Sequence, residues 1–212
     1  MKNKKIILLV MLSLFIGFVM IAAGVVVDAA WIQRLDQMGN QLFRLDISHE
    51  ATELIFRITH IGSIRTLTFT ALAIGGFLLF KKKFLGFLWL AISMPVIGGL
   101  TPWFLKYFFA RPRPTDGLMS RGGYSFPSGH TMGTLALYGL VIILAVVYLQ
   151  KSWQRQTVII ASLGVILLIS WSRVHLGVHF LTDIIGSVFL GVALLLGASL
   201  ALSGLHRKLG KD

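Results

Sequence analysis

Two histidines and one aspartate carry the first chemical signal. His179 and Asp183 stand four residues apart, which puts both on one face at the start of a helix. The carboxylate can then accept the proton of one imidazole nitrogen, fix the tautomer and leave the other nitrogen as a nucleophile. Pro127-Ser128-Gly129-His130 opens an apolar run. A helix start there offers backbone N–H groups and the positive end of the dipole, both suited to a phosphate. Gly129 allows close backbone approach, and His130 is a candidate general acid for a leaving oxygen. Lys106, Arg113 and Arg173 can neutralise phosphoryl oxygens in ground and transition states. Ser128 and Ser172 can add hydroxyl donors.

The elements that must position these residues are transmembrane helices. Of 212 residues, 56% are apolar and 13% are charged, against about 25% charged in a soluble domain. Six stretches reach the length needed to cross a bilayer, at roughly 6–27, 58–80, 84–108, 130–150, 156–172 and 180–203. The fifth is the shortest. The first follows Met-Lys-Asn-Lys-Lys. It resembles a signal peptide in its charged start but is longer than the usual apolar core, so an uncleaved first span is expected. Pro95 and Pro102 predict a bend in the third span. The expected fold is all-α, a single domain over 1–212: a polytopic membrane protein with six transmembrane helices. Between spans one and two, residues 28–57 predict an amphipathic helical segment, lying at the membrane surface or packed over the bundle mouth. Trp31, Ile32, Leu35 and Met38 would form its apolar face, with Arg34, Asp36 and Gln37 on the other.

Formal net charge is +12, but the basic residues form small knots between apolar runs rather than a continuous face, so no nucleic acid partner is expected. If every span crosses, Lys2, Lys4, Lys5, Lys81, Lys82, Lys83, Lys151, Arg155, Arg207, Lys208 and Lys211 fall on one side. That side should be cytoplasmic, with both termini inside. Lys106, Arg111, Arg113, Arg121 and Arg173 break the pattern by clustering at or beyond the outer ends of spans three and five. Positive charge there calls for an anion. Odd-numbered spans end outside and even-numbered spans begin there, so the segments at 106–114, 127–130 and 172–183 share one level.

Other polar residues have plainer explanations. Arg111 and Arg121 can face outer headgroups or solvent. Arg57, His60 and Arg65 can snorkel, pair inside the bundle or line a path for a substrate headgroup. The absence of cysteine excludes disulfides and thiolate chemistry. Too few acidic and histidine residues surround the mouth for a two-metal site, so no metal or other cofactor is expected.

Three spaced elements within 106–183 resemble the signature of the type 2 phosphatidic acid phosphatase superfamily, in its bacterial membrane branch. They are Lys106 and Arg113-Pro114 with six residues between, Pro127-Ser128-Gly129-His130, and Ser172-Arg173 followed by His179 and Asp183. The resemblance implies that His179 becomes a phosphohistidine supported by Asp183. His130 would protonate the leaving group and then activate water. Lys106, Arg113, Ser128, Gly129 and Arg173 would bind the phosphoryl group, with Ser172, Arg111, Arg121 and Arg65 as accessory candidates. It implies a hydrolase of lipid phosphates drawn from the outer leaflet of a bacterial cell membrane, needing neither metal nor an obligate protein partner. Phosphatidylglycerol phosphate is the favoured substrate, with undecaprenyl pyrophosphate and phosphatidic acid as alternatives. A transporter of anionic lipid or phosphate is the alternative of a different class.

Overall fold

The computed structural model describes residues 2–44, 48–119 and 122–209. The fold is all-α. In chain order the helices are α1 (Lys2–Val26), α2 (Ala30–Phe43), α3 (His49–Thr59), α4 (Ile64–Phe80), α5 (Phe84–Ser93), α6 (Thr101–Phe109), α7 (Gly129–Tyr148), α8 (Ser152–His175) and α9 (Leu181–Leu209). A π-helical segment, Met94–Leu100, joins α5 to α6, and a 3-10 turn, His60–Gly62, follows α3.

α7 is the central helix, packed against α8, α9, α4 and the π-helical segment. Its Met132, Ala136, Leu137 and Leu140 are fully buried. The segment crosses α7 at Gly98 and Gly133, where a Cβ on Gly98 would lie 3.1 Å from the Gly133 Cα. Small residues let membrane helices approach backbone to backbone. The outside of the bundle is apolar: Phe69, Phe80, Ile160 and Leu167 are each more than two-thirds exposed. Such a surface suits hydrocarbon rather than water.

Five helical stretches among the described residues are long and apolar enough to cross a membrane: Lys4–Val26, Phe84–Phe109, Gly129–Tyr148, Ser152–His175 and Leu181–Ala201. The second expected span, 58–80, differs. α4 begins only at Ile64, and the α3–turn unit meets it at 48°. The break has a local cause: Ser63 is extended, and its hydroxyl accepts from the Thr66 N–H at 3.3 Å, a helix N-cap. The two pieces make one bent span or one true span with a surface helix.

Other expectations change in detail. Residues 28–57 form two helices rather than one; Ser48 caps the second by accepting from the Ala51 N–H. Asp36 does not lie on a solvated face. It is buried with Ile32 and Gly39 on the inner face of α2, at the same i, i+4, i+7 spacing that marks an apolar stripe. Span five begins a few residues earlier, as its shortness suggests, and also ends later: α8 extends the expected 156–172 at both ends. Its polar first turn is anchored by Arg155, which donates to the Leu149 carbonyl, and its polar last turn is buried in protein rather than lipid. The bend expected from Pro95 and Pro102 is a π-helical stretch that keeps 84–109 continuous. Pro lacks an N–H and its ring crowds the carbonyl four residues back, so the ladder adjusts locally.

Candidate active site

The ends of α6 and α8 and the starts of α7 and α9 meet at one end of the bundle, and the loop segments 110–119 and 122–128 fold across them. Phe126 anchors that loop: it is fully buried, stacked on Phe18 and edge-on to Phe109. Ser125 ties the loop to itself, its N–H donating to the Arg111 carbonyl at 2.8 Å and its hydroxyl to the Pro112 carbonyl at 2.9 Å.

The α8–α9 turn explains the five-residue gap between Arg173 and His179. The Arg173 carbonyl accepts the N–H groups of Val178 and His179, at 3.2 and 3.3 Å. Gly177 takes a positive φ of 63° and stands against Gly117, a conformation and a closeness that favour glycine. The turn presents the His179 ring beside the first turn of α9. His179 Nδ1 lies 3.2 Å from Asp183 Oδ2, and Nε2 lies 3.3 Å from Arg113 Nη1. A guanidinium only donates, so Nε2 is the acceptor. The proton therefore sits on Nδ1, directed at Asp183. Burial pushes His179 well below the usual imidazole range, and the charges of Lys106, Arg173 and Arg113 push it the same way. The ring is neutral, with a lone pair directed toward the arginine.

Asp183 is completely buried and fully partnered. Oδ2 also accepts from the Phe180 N–H at 3.0 Å, and Oδ1 accepts from Arg111 Nη1 at 2.6 Å. The other nitrogen of Arg111 donates to Asp36 Oδ2 at 2.5 Å. Asp36 Oδ1 accepts from both the N–H and the hydroxyl of Thr182, at 2.9 and 2.8 Å. A chain of charge-assisted bonds thus runs from α2 through Arg111 and Asp183 to His179. Arg111 does not face headgroups; it is clamped between two carboxylates. Asp36 escaped the sequence analysis because its partner lies 75 residues away. The only local signal was its spacing from Ile32.

Lys106 Nζ donates to the carbonyls of Tyr124 and Ser125, at 2.6 and 3.1 Å. Arg113 also donates to the Val178 carbonyl at 2.6 Å. Arg173 is buried and donates to Thr59 Oγ1 at 2.8 Å. Lys106, Gly129 and His130 line a cavity of about 620 Å³ together with Arg65, His60 and Ser63. It adjoins an apolar groove of about 760 Å³ between α4 and the α5–α6 stretch, the two sharing Ile64, Gly99 and Trp103.

The two expected hydroxyl donors both have partners within the protein. Ser128 caps α7, accepting from the N–H and hydroxyl of Thr131 at 3.4 and 3.2 Å, while its own N–H donates to Ser187 Oγ. Ser172 donates to the Ile169 carbonyl at 2.6 Å and lies 2.9 Å from Thr59 Oγ1. Only the Ser172 hydroxyl is seen to give its proton to another group of the protein. Arg121 lies outside the described residues. Among the described residues, no three of His, Cys, Asp and Glu come together as metal ligands.

Comparison with known proteins agrees with this geometry. The family model of the PAP2 superfamily matches residues 67–206. Phosphatidylglycerophosphatase B of Bacillus subtilis (strain 168) is 31% identical over 187 residues, covering 86% of this chain and 89% of that protein. Lipid A 4'-phosphatase of Porphyromonas gingivalis is 34% identical over 114 residues, covering 48% of this chain and 44% of that one. The crystal structure of the transmembrane PAP2-type phosphatidylglycerolphosphate phosphatase from Bacillus subtilis superposes with a TM-score of 0.77 at 29% identity, over 93% of this chain and 96% of that one. An all-α membrane bundle that converges its basic and histidine motifs at one end, and that matches the family model over most of its length, belongs to the PAP2 superfamily, as a membrane-embedded PAP2-type lipid phosphatase.

Proposed function

We propose that this phosphatase removes the terminal phosphate of phosphatidylglycerol phosphate, through a metal-free phosphohistidine intermediate. One observation carries the mechanism. His179 is buried and neutral, its Nδ1 proton directed at Asp183 and its Nε2 lone pair at the arginine-rich mouth. Nε2 attacks phosphorus as the bond to the leaving oxygen breaks, and His130 gives that oxygen its proton. The imidazole becomes cationic, and Asp183 stabilises it. Water then attacks the phosphohistidine and passes a proton to His130. The N–P bond breaks, and phosphate leaves with both histidines restored. Lys106, Arg113, Arg173 and the Gly129 N–H hold the phosphoryl oxygens. The scarcity of clustered metal donors among the described residues fits a route in which positive side chains replace a cation.

The lipid preference rests on the similarity to phosphatidylglycerophosphatase B. The apolar groove beside the cavity suits acyl chains, and its continuity with the cavity allows entry from the bilayer. Undecaprenyl pyrophosphate is the second reading: like phosphatidylglycerol phosphate it carries a second phosphate, and the cavity holds an additional cation, Arg65. We assign six spans, counting α3 and α4 as one, with both termini cytoplasmic and the site in the outer leaflet. Lys81, Lys82, Lys83, Lys151 and Arg155 flank the loops at the end remote from the site, in keeping with the positive-inside rule.

The test is phosphate release in detergent with EDTA, comparing the three candidate lipids and a His179→Ala control. Release requires His179 and persists in EDTA; phosphatidylglycerol phosphate shows the highest kcat/KM. Activity surviving in the His179→Ala protein, or strict dependence on added metal, would refute the mechanism.

A further inference from the structure

We infer that Arg65 forms a subsite for a second phosphate, one that stays with the leaving group, so that the enzyme selects lipids carrying two phosphates over phosphatidic acid. This rests on the proposed phosphatase mechanism. In-line displacement puts the leaving oxygen opposite His179, within reach of His130. Whatever is attached to that oxygen therefore extends into the cavity that His130, Gly129 and Lys106 line, and Arg65 lines the same cavity.

Arg65 is exposed toward the cavity and has no protein partner for its charge among the described residues. It makes no hydrogen bond or ion pair among the described residues, unlike Arg44, Arg57 and Arg111, each of which holds a carboxylate. It lies in the first turn of α4, where the helix dipole opposes a cation. Beyond it the wall is Ile64, Gly99 and Trp103, continuing into the apolar groove. A cation bordering hydrocarbon is costly without a partner. The other polar groups nearby are occupied: His60 Nδ1 is bonded to the Phe56 carbonyl at 2.7 Å, and the Ser63 hydroxyl to Thr66. Arg65 is thus a charged donor of the cavity beyond Lys106, and a guanidinium grips a phosphate with two parallel bonds.

The chemistry of the leaving group then separates the substrates. Phosphatidylglycerol phosphate leaves behind a phosphodiester, and a prenyl diphosphate leaves behind a phosphate monoester. Phosphatidic acid leaves a neutral diacylglycerol, which offers the guanidinium no charge.

The experiment measures kcat/KM of the unmodified protein, Arg65→Gln and Arg65→Lys on phosphatidylglycerol phosphate, undecaprenyl pyrophosphate and phosphatidic acid in matched micelles. The ratio of either two-phosphate lipid to phosphatidic acid falls roughly 10–100-fold in Arg65→Gln, the loss of one charged hydrogen-bonding group. Arg65→Lys recovers part of it. Ratios do not depend on the folded fraction. An unchanged ratio, whether all three activities fall together or none falls, overturns the subsite. Binding of the three lipids to the His179→Ala protein supplies an arm without turnover. Preference for two-phosphate lipids there, abolished by adding Arg65→Gln, supports the subsite, and equal binding overturns it. An unmodified protein that hydrolyses none of the lipids refutes the proposed function, and the binding arm still decides the subsite.

Discussion

Replacing Asp36 with asparagine removes one charge and leaves the shape nearly intact. The amide oxygen can still accept from Thr182, but the amide nitrogen now faces the Arg111 guanidinium donor to donor. The lost bond is a 2.5 Å contact between two side chains that are 12% and 7% exposed. A charge-assisted hydrogen bond of this kind contributes about 1.5–3 kcal/mol. Breaking a fully buried pair costs about 3–5 kcal/mol; Arg111 keeps its second carboxylate, Asp183, so the lower range applies. Freed from Asp36, the guanidinium can turn its whole fork onto Asp183 and compete for Oδ2, the oxygen that holds His179 Nδ1. At about 1.4 kcal/mol per tenfold change, a loss of 1.5–3 kcal/mol predicts a kcat roughly 10–100-fold lower. KM should change less than about threefold, since Asp36 touches no substrate. A double-mutant cycle with Arg111→Gln separates coupling from general destabilisation. Coupling below about 0.5 kcal/mol in kcat, or an Asp36→Asn protein with unchanged kcat, would refute the positioning role.

Other outcomes follow from the same geometry. His179 must be neutral to attack, and burial with three nearby cations lowers its pKa; the acid limb of kcat/KM should therefore fall below the usual imidazole value of about 6.5, activity disappearing as pH drops through it. Arg113→Gln removes one of those cations, so the limb should move upward, as a pH–rate profile of the variant would report. Ser172→Ala should lower the thermal midpoint, on the order of 1 kcal/mol for one lost hydrogen bond, while leaving KM within about threefold, because its hydroxyl meets Ile169 and Thr59; a KM rise approaching tenfold would place the hydroxyl on substrate instead. Gly98→Val pushes a branched side chain against Gly133 and Ala136, and overpacking of this kind costs about 1–3 kcal/mol; an unchanged unfolding midpoint in detergent would contradict the close helix crossing.

Much of this protein was legible along the chain, because a bilayer imposes rules that act locally. Each span must satisfy its own backbone and present apolar side chains for about 20 residues, so hydropathy alone located most of the long helices. The His179–Asp183 pair was legible for the same reason: four residues in one helix put two side chains on one face. The Arg173–His179 spacing was visible as a number, but its cause, a turn closed onto the Arg173 carbonyl, appeared only in three dimensions. Features set by competition among neighbours were not legible. Ser172 has a hydroxyl to bind phosphate, yet a backbone carbonyl nearer at hand takes its proton. The break before α4 depended on one serine capping a helix inside an apolar run. Arg111 and Arg113 stand two residues apart with the same charge; the spacing from Lys106 singled out Arg113, but nothing in the local sequence pointed to the task of Arg111. Tertiary packing did, by bringing α2 down so that Asp36 meets Arg111, while Arg113 reaches the far nitrogen of His179. A residue's chemistry belongs to its type, but the partner that uses it is chosen by which helices pack together.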